Sequence, residues 1–139
     1  MTAQESSSAS AQLDMLEQEA IYIIRELSAS TRNPALLFSG GKDSVVLFHL
    51  AQKAFRLPGR PLRLPFTLVH IDTGHNYPEV LRFRDETIAR TSVKSVIGAV
   101  EESIRRGTVR LRTPLESRNA HQAVTLLETI EAQGFDALM

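Results

Sequence analysis

A glycine-rich loop, Ser39-Gly40-Gly41-Lys42-Asp43-Ser44, constrains the fold of this chain more than any other part of its sequence. A short apolar run at residues 35–38 precedes the loop, and residues 43–55 repeat their apolar side chains at helical spacing. The run predicts a buried strand, and the spacing predicts a helix. A loop that joins such a strand to such a helix is typical of a sheet of parallel strands covered by helices.

The residues of this loop predict a site for phosphate or pyrophosphate. Its two glycines let the backbone turn tightly and approach a ligand, because they carry no Cβ. The amides and dipole of the following helix attract anions at its first turn, and Lys42 adds a full positive charge. Ser39 and Ser44 add hydroxyl groups, whereas Asp43 is a candidate for capping the helix or helping to hold Mg²⁺. The competing interpretation is a plain turn with a solvated lysine.

Strands and helices alternate along the rest of the chain. Strands are predicted at residues 66–71, 93–97 and 135–138, and helices at residues 12–30, 78–90 and 119–133. This alternation predicts an α/β fold, a parallel sheet flanked by helices, with right-handed crossovers.

The two ends of the chain depart from this regular pattern. Residues 1–11 are rich in Ser, Ala and Gln, which predicts a disordered tail, and residues 12–139 then form one nucleotide-binding domain. The pattern stops at the last predicted strand, before the loop that would follow it at the ligand-binding edge of the sheet. We therefore expect the domain to be incomplete, truncated at its C-terminus, and inactive as this chain alone.

The composition of the chain argues against several classes of function. Among 139 residues, 16 are basic and 16 acidic, so no overall charge attracts the chain to nucleic acid or to a membrane. The absence of cysteine excludes disulfides, thiolate metal sites and a cysteine nucleophile within these residues. No apolar stretch approaches the roughly 20 residues of a membrane span, and no secretory signal pattern is present, so we expect a cytoplasmic protein. The four histidines lack metal-ligand spacing, so we predict no protein-bound zinc.

The glycine-rich loop resembles the SGGxDS motif of the PP-loop ATP pyrophosphatase superfamily. A second motif, His70-Ile71-Asp72-Thr73-Gly74-His75, follows the second predicted strand and lies at the same edge of the sheet. It resembles the HxDTG sequence of the branch that contains the small, ATP-binding subunit of sulfate adenylyltransferase and phosphoadenylyl-sulfate reductase. Further resemblance to the former lies at residues 19–26, 49–55, 83–85 and 134–137.

The resemblance implies a fold like that of the adenine nucleotide α-hydrolases and a reaction at the α-phosphate of ATP. Sulfate would attack that phosphate and release pyrophosphate, with Mg²⁺ sharing the charge and a GTP-hydrolysing large subunit as partner. Lys42 and Asp72 would be catalytic: Lys42 and the glycine amides would bind pyrophosphate, and Asp72 would meet the nucleoside or the metal. The residues expected to contact ATP are Ser39, Gly40, Gly41, Lys42, Asp43, Ser44, His70, Asp72, Thr73 and Gly74.

Several alternatives stay open at this stage. A different PP-loop enzyme, reductase-like or tRNA-modifying, is the first, and a non-catalytic fragment that only binds nucleotide is the second. His70 fits a structural histidine as well as a ligand contact. Residues 98–118 do not match the family pattern, so the sequence predicts no particular sulfate contact there. The basic run at residues 105–112 fits a solvated face, sulfate capture or docking of the partner subunit.

Overall fold

A parallel sheet of four strands forms the centre of the chain in a computed structural model that describes residues 2–112, 118 and 121–139. The described elements are, in order, α1 Ala3–Ser30, β1 Pro34–Leu37, α2 Lys42–Phe55, β2 Thr67–Asp72, α3 Pro78–Thr91, β3 Ser95–Ala99, α4 Val100–Arg105, α5 Gln122–Gln133 and β4 Ala137–Leu138. Across this described part, no helix combines the length and the apolar character needed to cross a membrane.

All strand pairs of the sheet are parallel, and the strand order is β3-β2-β1-β4. In the central pair, Ala35 of β1 lies opposite Thr67 of β2, and Leu37 lies opposite Val69. The prediction of an α/β fold with a parallel sheet flanked by helices is therefore confirmed. Parallel pairing also brings the carboxyl ends of β1 and β2 to the same edge, which is where open sheets of this kind bind ligands.

Side chains along β1 alternate between two hydrophobic clusters, one on each face of the sheet. Leu36 and Phe38 join a cluster with residues of α1 and α2, whereas Ala35 joins a cluster with residues of α4 and α5. Both Leu36 and Ala35 are fully buried. Burial on both faces explains why the strand appears in the sequence as an uninterrupted apolar run.

The amino-terminal residues depart from the disordered tail expected over residues 1–11, because α1 begins at Ala3. The Thr2 side chain accepts a hydrogen bond from the Glu5 amide, and the Glu5 carboxylate accepts one from the Thr2 amide. This capping box satisfies amides that an uncapped helix end leaves without acceptors, and the alanines at this end favour helix. All side chains of residues 3–11 are nevertheless exposed.

The helix α1 packs on α2 through a narrower face than its apolar residues suggest. Ile21 and Ile24 are buried, whereas Ile23 is 58% exposed. Arg25 on the same helix donates a hydrogen bond from Nε to the carbonyl oxygen of Ala54 at 2.8 Å. The packing face is thus set by the contact with α2, and apolar side chains beyond that contact face solvent.

The last strand, β4, is attached to the start of β1 by side-chain hydrogen bonds. The Asp136 carboxylate accepts bonds from the amides of Arg32 and Asn33, each at 2.8 Å, and these bonds lower its pKa. Asn33 donates from Nδ2 to the carbonyl oxygen of Gln133 at 3.0 Å. The predicted end of α5 at Gly134 is confirmed, while the predicted start at residue 119 lies outside the described residues.

A buried histidine joins the carboxyl ends of β1 and β2. The His70 ring is 2% exposed, and its Nδ1 lies 2.8 Å from the carbonyl oxygen of Phe38. Because a carbonyl oxygen can only accept, Nδ1 carries the proton and donates this bond. Burial lowers the pKa of His70; the bond to Phe38 opposes that shift, Arg84 adds to it, and Asp72 and Asp85 oppose it.

The two-sided burial of β1 predicts a large effect of truncating its side chains. Leu36→Ala should lower the free energy of unfolding by about 2–5 kcal/mol, since it removes a fully buried side chain and leaves a cavity. Leu127→Ala is the matched control: that side chain is 66% exposed on α5, and its loss should change stability by less than about 0.5 kcal/mol. Urea unfolding measures both, and equal effects would contradict the assigned core.

The lowered pKa of His70 predicts a pH dependence of stability. Unfolded histidine titrates near pH 6.5, whereas the folded group titrates lower, so between the two values the unfolded chain binds more protons. The contribution of His70 is therefore complete above about pH 6.5 and is lost as the pH falls through the folded value.

We expect the free energy of unfolding, measured in urea across this range, to fall less steeply with decreasing pH in His70→Asn than in the wild type. Gln18→Asn, which changes an exposed side chain on α1 that does not titrate, should keep the wild-type slope. An unchanged slope in His70→Asn would show that burial of this ring does not oppose its protonation.

Candidate functional site

The glycine-rich loop turns from β1 into α2 at the carboxyl edge of the sheet. Gly40 has a φ of +83°, and a Cβ there would lie 2.8 Å from Cγ1 of Val80 on α3. Glycine alone tolerates both this backbone conformation and this close packing. Gly41 is the N-cap residue of α2, and no side chain caps that helix, so Asp43 does not take the capping role considered for it.

Two serines close the loop on itself. Ser39 Oγ accepts a hydrogen bond from the Gly41 amide and donates one to Ser44 Oγ, each at 3.2 Å. Ser44 Oγ in turn donates to the carbonyl oxygen of Gly41 at 2.9 Å. These bonds shape the loop internally, and they engage two hydroxyls and one amide that the sequence assigned to a ligand.

The loop presents a lysine, helix amides and one carboxylate to solvent. Lys42 is exposed in the first turn of α2, and Asp43 is exposed beside it. The amides of this first turn have no acceptor within the helix, and the helix dipole places partial positive charge at the same end. The start of α2 therefore combines a lysine with several unsatisfied amides, as an anion site requires.

The residues after β2 form a turn held by its own hydrogen bonds. Thr73 donates from its amide and its hydroxyl to Asn76 Oδ1, at 2.8 and 2.9 Å. The Gly74 amide donates to Asp72 Oδ1 at 2.8 Å, and the His75 amide donates to Thr73 Oγ1 at 3.1 Å. Three residues predicted for the site, Asp72, Thr73 and Gly74, are thus fixed in one turn next to the glycine-rich loop.

A buried arginine on α3 lies near this turn. Arg84 is 8% exposed and pairs with Asp85 at 2.9 Å, while its Nη1 lies 3.9 Å from Asp72 Oδ2. His70 is also buried here. The sequence left open whether it is a structural histidine or a ligand contact, and its bond to Phe38 favours the structural role. Within the described residues, Arg84 Nη1 and His70 Nε2 are buried without a hydrogen-bond partner.

A cavity of about 220 Å³ opens between the two loops and α5. It is lined by Leu37, Ser39, Ile71, Asn76, Gln122, Ala123 and Leu126. A larger groove of about 530 Å³ lies along β3, α4 and α5, and none of its lining residues belongs to either loop. Of the predicted site residues, only Ser39 lines the smaller cavity, while Leu37, Ile71 and Asn76 lie next to the two loops in the sequence.

The basic run that the sequence singled out is partly neutralised. Arg105 pairs with Glu102 on α4 at 2.8 Å, and Arg106 pairs with Glu128 on α5 at 2.6 Å. The other two, Arg110 and Arg112, follow α4 and are exposed. None of the four belongs to the residues that line the cavity between the loops.

Two residues of the site escaped the sequence analysis. Asn76 accepts both bonds from Thr73, and its position two residues before Pro78, at the start of a helix, is a local signal of a side-chain-capped turn. Arg118 donates from Nη1 to the Thr73 carbonyl oxygen at 2.9 Å and pairs with Glu101. Its partner Thr73 is distant along the sequence, so no local pattern could have revealed that contact.

Metal binding by protein groups alone has little support in the described residues. Among them, no cluster of three or more His, Asp or Glu side chains could hold a metal ion. Two carboxylates at this edge are Asp43, in the first turn of α2, and Asp72, whose side chain is 30% exposed at the end of β2. Two carboxylates suit a cation that also binds the oxygens of a ligand.

Comparisons with known proteins place these features in a family. Residues 33–138 match the family model described as the phosphoadenosine phosphosulfate reductase domain. The chain is 53% identical over 125 residues to sulfate adenylyltransferase subunit 2 of Mycolicibacterium gilvum (strain PYR-GCK) and 51% identical, also over 125 residues, to that of Mycobacterium tuberculosis (strain ATCC 25618 / H37Rv). Each alignment covers 90% of this chain and 38% of the relative, so the chain spans well under half the length of these relatives.

A solved structure supports the fold independently of these sequences. The NH3-dependent NAD synthetase of Campylobacter jejuni subsp. jejuni NCTC 11168, in complex with the nitrate ion, superposes with a TM-score of 0.65 at 15% identity. The match covers 86% of this chain and 51% of the synthetase. Because the family model spans the whole sheet from β1 onward and both loops, the chain belongs to the phosphoadenosine phosphosulfate reductase domain family.

Proposed function

We propose that this chain binds ATP at the edge formed by the two loops and is the ATP-binding part of a sulfate adenylyltransferase. The observation that carries the proposal is the glycine-rich loop, packed on Val80 through Gly40 and open to solvent at the start of α2. Relatives that share 51% and 53% identity with the chain carry the name sulfate adenylyltransferase subunit 2, and their names support the choice of reaction.

The β- and γ-phosphates of ATP fit the start of α2. Lys42 and the first-turn amides of the helix would neutralise them. The Gly41 amide would exchange its 3.2 Å bond to Ser39 for a bond to phosphate, since a charged acceptor makes the stronger hydrogen bond. The loop would therefore hold the group that leaves as pyrophosphate.

The nucleoside of ATP fits the cavity between the loops. Leu37, Ile71 and Leu126 supply apolar walls suited to a base, and Asn76 and Gln122 place polar groups at its border. The turn from Asp72 to Gly74 lies at the same edge, next to the glycine-rich loop. ATP would then cross from the cavity to the start of α2, with its α-phosphate between the two loops.

Mg²⁺ is the cation that we propose to accompany ATP. It keeps several waters and usually takes only one or two protein carboxylates besides phosphate oxygens, which fits Asp43 and Asp72. Bound in this way, it would share the negative charge that grows on the departing pyrophosphate.

The reaction itself requires positioning more than acid–base chemistry. A sulfate oxygen forms a bond to the α-phosphorus. The bond from that phosphorus to the oxygen that bridges the α- and β-phosphates breaks, giving adenylyl sulfate and pyrophosphate. Sulfate carries no proton that a base must remove, so the protein contributes alignment and stabilisation of the leaving group. Lys42 acts on the leaving group, and Asp72 acts at the nucleoside or the cation.

A partner subunit follows from the same proposal. The subunit numbering of the relatives indicates a second chain, and we propose a large subunit that hydrolyses GTP to drive an unfavourable adenylyl transfer. Because the chain spans 38% of the length of these relatives, the complete reaction is proposed for the full-length gene product in its cytoplasmic complex. We propose the exposed Arg110, which follows α4, for sulfate or partner contacts.

Two other functions compete with this one. A reductase-like or tRNA-modifying PP-loop enzyme would use the same phosphate site, but the net charge of zero gives no support for binding tRNA. A domain that only binds nucleotide is the second alternative. The identity to adenylyltransferase subunits favours the first proposal over both.

The phosphate site predicts that Lys42→Ala weakens ATP binding by about tenfold or more, since a charge-assisted contact contributes roughly 1.5–3 kcal/mol. Titration calorimetry on the purified chain measures the dissociation constant. The matched control is Lys94→Ala, because Lys94 is exposed just before β3, at the opposite edge of the sheet. Equal ATP affinity in wild type and Lys42→Ala would remove this lysine from the site.

The proposed reaction predicts that pyrophosphate release from ATP depends on sulfate. The full-length gene product, assembled with its large subunit and supplied with GTP, should release pyrophosphate on addition of sulfate and show only background release without it. An enzymatic pyrophosphate assay measures the difference. Release that requires tRNA and ignores sulfate would favour the tRNA-modifying alternative and overturn the adenylyltransferase proposal.

A further inference from the structure

Arg118 brings a positive charge to the turn after β2 from a distant part of the chain. Its side chain is 10% exposed. Arginine is almost never buried without a partner, so the groups that it contacts are informative. Its Nη1 makes two contacts with other described residues: it donates to the Thr73 carbonyl oxygen at 2.9 Å and pairs with the Glu101 carboxylate. The arginine therefore joins the turn to the first residues of α4.

The Arg118 contact passes directly over Gly74. A Cβ on that glycine would lie 2.7 Å from Arg118 Nη1 and 3.0 Å from Glu101 Oε1, and the residue has a φ of +79°. The turn therefore needs glycine for two reasons, its left-handed backbone and the ion pair above it. The ion pair and the turn fit each other as parts of one arrangement.

The role of Arg118 differs from that of an anion receptor. Its charge is balanced by Glu101, so the pair carries no net charge to attract phosphate or sulfate. What the pair fixes is the Thr73 carbonyl, and the Thr73 side chain and amide hold Asn76 and His75 in turn. Burial of the arginine strengthens its bond to the Thr73 carbonyl, because little water competes for a side chain that is 10% exposed.

We propose that Arg118, held by Glu101, is a positioning residue that keeps the turn from Asp72 to Gly74 in the shape that binds the nucleoside side of ATP. This inference rests on the proposed nucleotide site, and it assigns no contact between Arg118 and ATP. Arg118 lies in the connection between α4 and α5, so a change at this position of the connection would alter the affinity for the nucleotide.

Two variants with the same chemical change test this role. Arg118→Gln removes the pair between a 10% exposed arginine and the half-exposed Glu101. Arg105→Gln removes the pair between a 72% exposed arginine and Glu102, which follows Glu101 on α4. Amide hydrogen exchange on the unliganded chain tests the positioning directly. In Arg118→Gln we expect exchange at Thr73, Gly74 and His75 to accelerate by about tenfold or more, with wild-type rates in Arg105→Gln.

Binding measurements then connect the turn to the nucleotide. In Arg118→Gln we expect the dissociation constant for ATP to rise about tenfold, while that for inorganic pyrophosphate stays within about twofold of wild type, because the glycine-rich loop is unchanged. Arg118→Lys should restore much of the ATP affinity, since both contacts come from one nitrogen and an ammonium can donate to both acceptors.

The outcomes separate this inference from the proposed function. Unchanged exchange at the turn in Arg118→Gln overturns the inference, whatever the chain binds. Faster exchange with equal losses of ATP and pyrophosphate affinity also overturns it, since a general loss of structure would act on both ligands. A wild-type chain that binds neither ATP nor pyrophosphate instead contradicts the proposed function. The exchange measurement uses the unliganded chain, so its result stands in either case.

Discussion

The parallel pairing of β1 with β2 is the interaction on which the candidate site depends. It places the glycine-rich loop and the turn after β2 side by side, because parallel strands in register end at the same edge. His70 adds a hydrogen bond from β2 to the Phe38 carbonyl, immediately before the glycine-rich loop. Val80 closes the other side of that loop by packing on Gly40. Two strands, one histidine and one contact from α3 thus bring together residues that are about thirty positions apart in the sequence.

The parts of the fold that local patterns encode were predictable from the sequence. The central strands carry apolar side chains on both faces, so β1 and β2 appear as predominantly apolar runs, broken in β2 by His70. The glycines, lysine and serines of the loop between β1 and α2 are typical of an anion site. The helix predicted at residues 12–30 is present, but its start at Ala3 was missed, because that start depends on the reciprocal bonds of Thr2 and Glu5, while composition alone suggested disorder.

The supporting contacts of the site were not predictable, because they depend on tertiary structure. Arg84 is charged yet buried on α3, next to Asp72, and hydropathy would place such a residue at the surface. Arg118 contacts Thr73, which lies 45 residues earlier in the sequence, and no spacing rule links the two. Polar side chains therefore surround the turn after β2 from two helices and a connection. The glycine-rich loop, in contrast, is shaped by residues within six positions of one another.

The measurement that tests the central claim most directly is a titration of the isotope-labelled chain with ATP, followed by the backbone amide signals of each residue. The account predicts that the largest shifts occur in two places, residues 39–44 and residues 72–76, with smaller shifts around the cavity at Leu126. Shifts confined to the larger groove along β3 and α5, or no shifts at saturating ATP, would contradict the claim that these two loops form a nucleotide site.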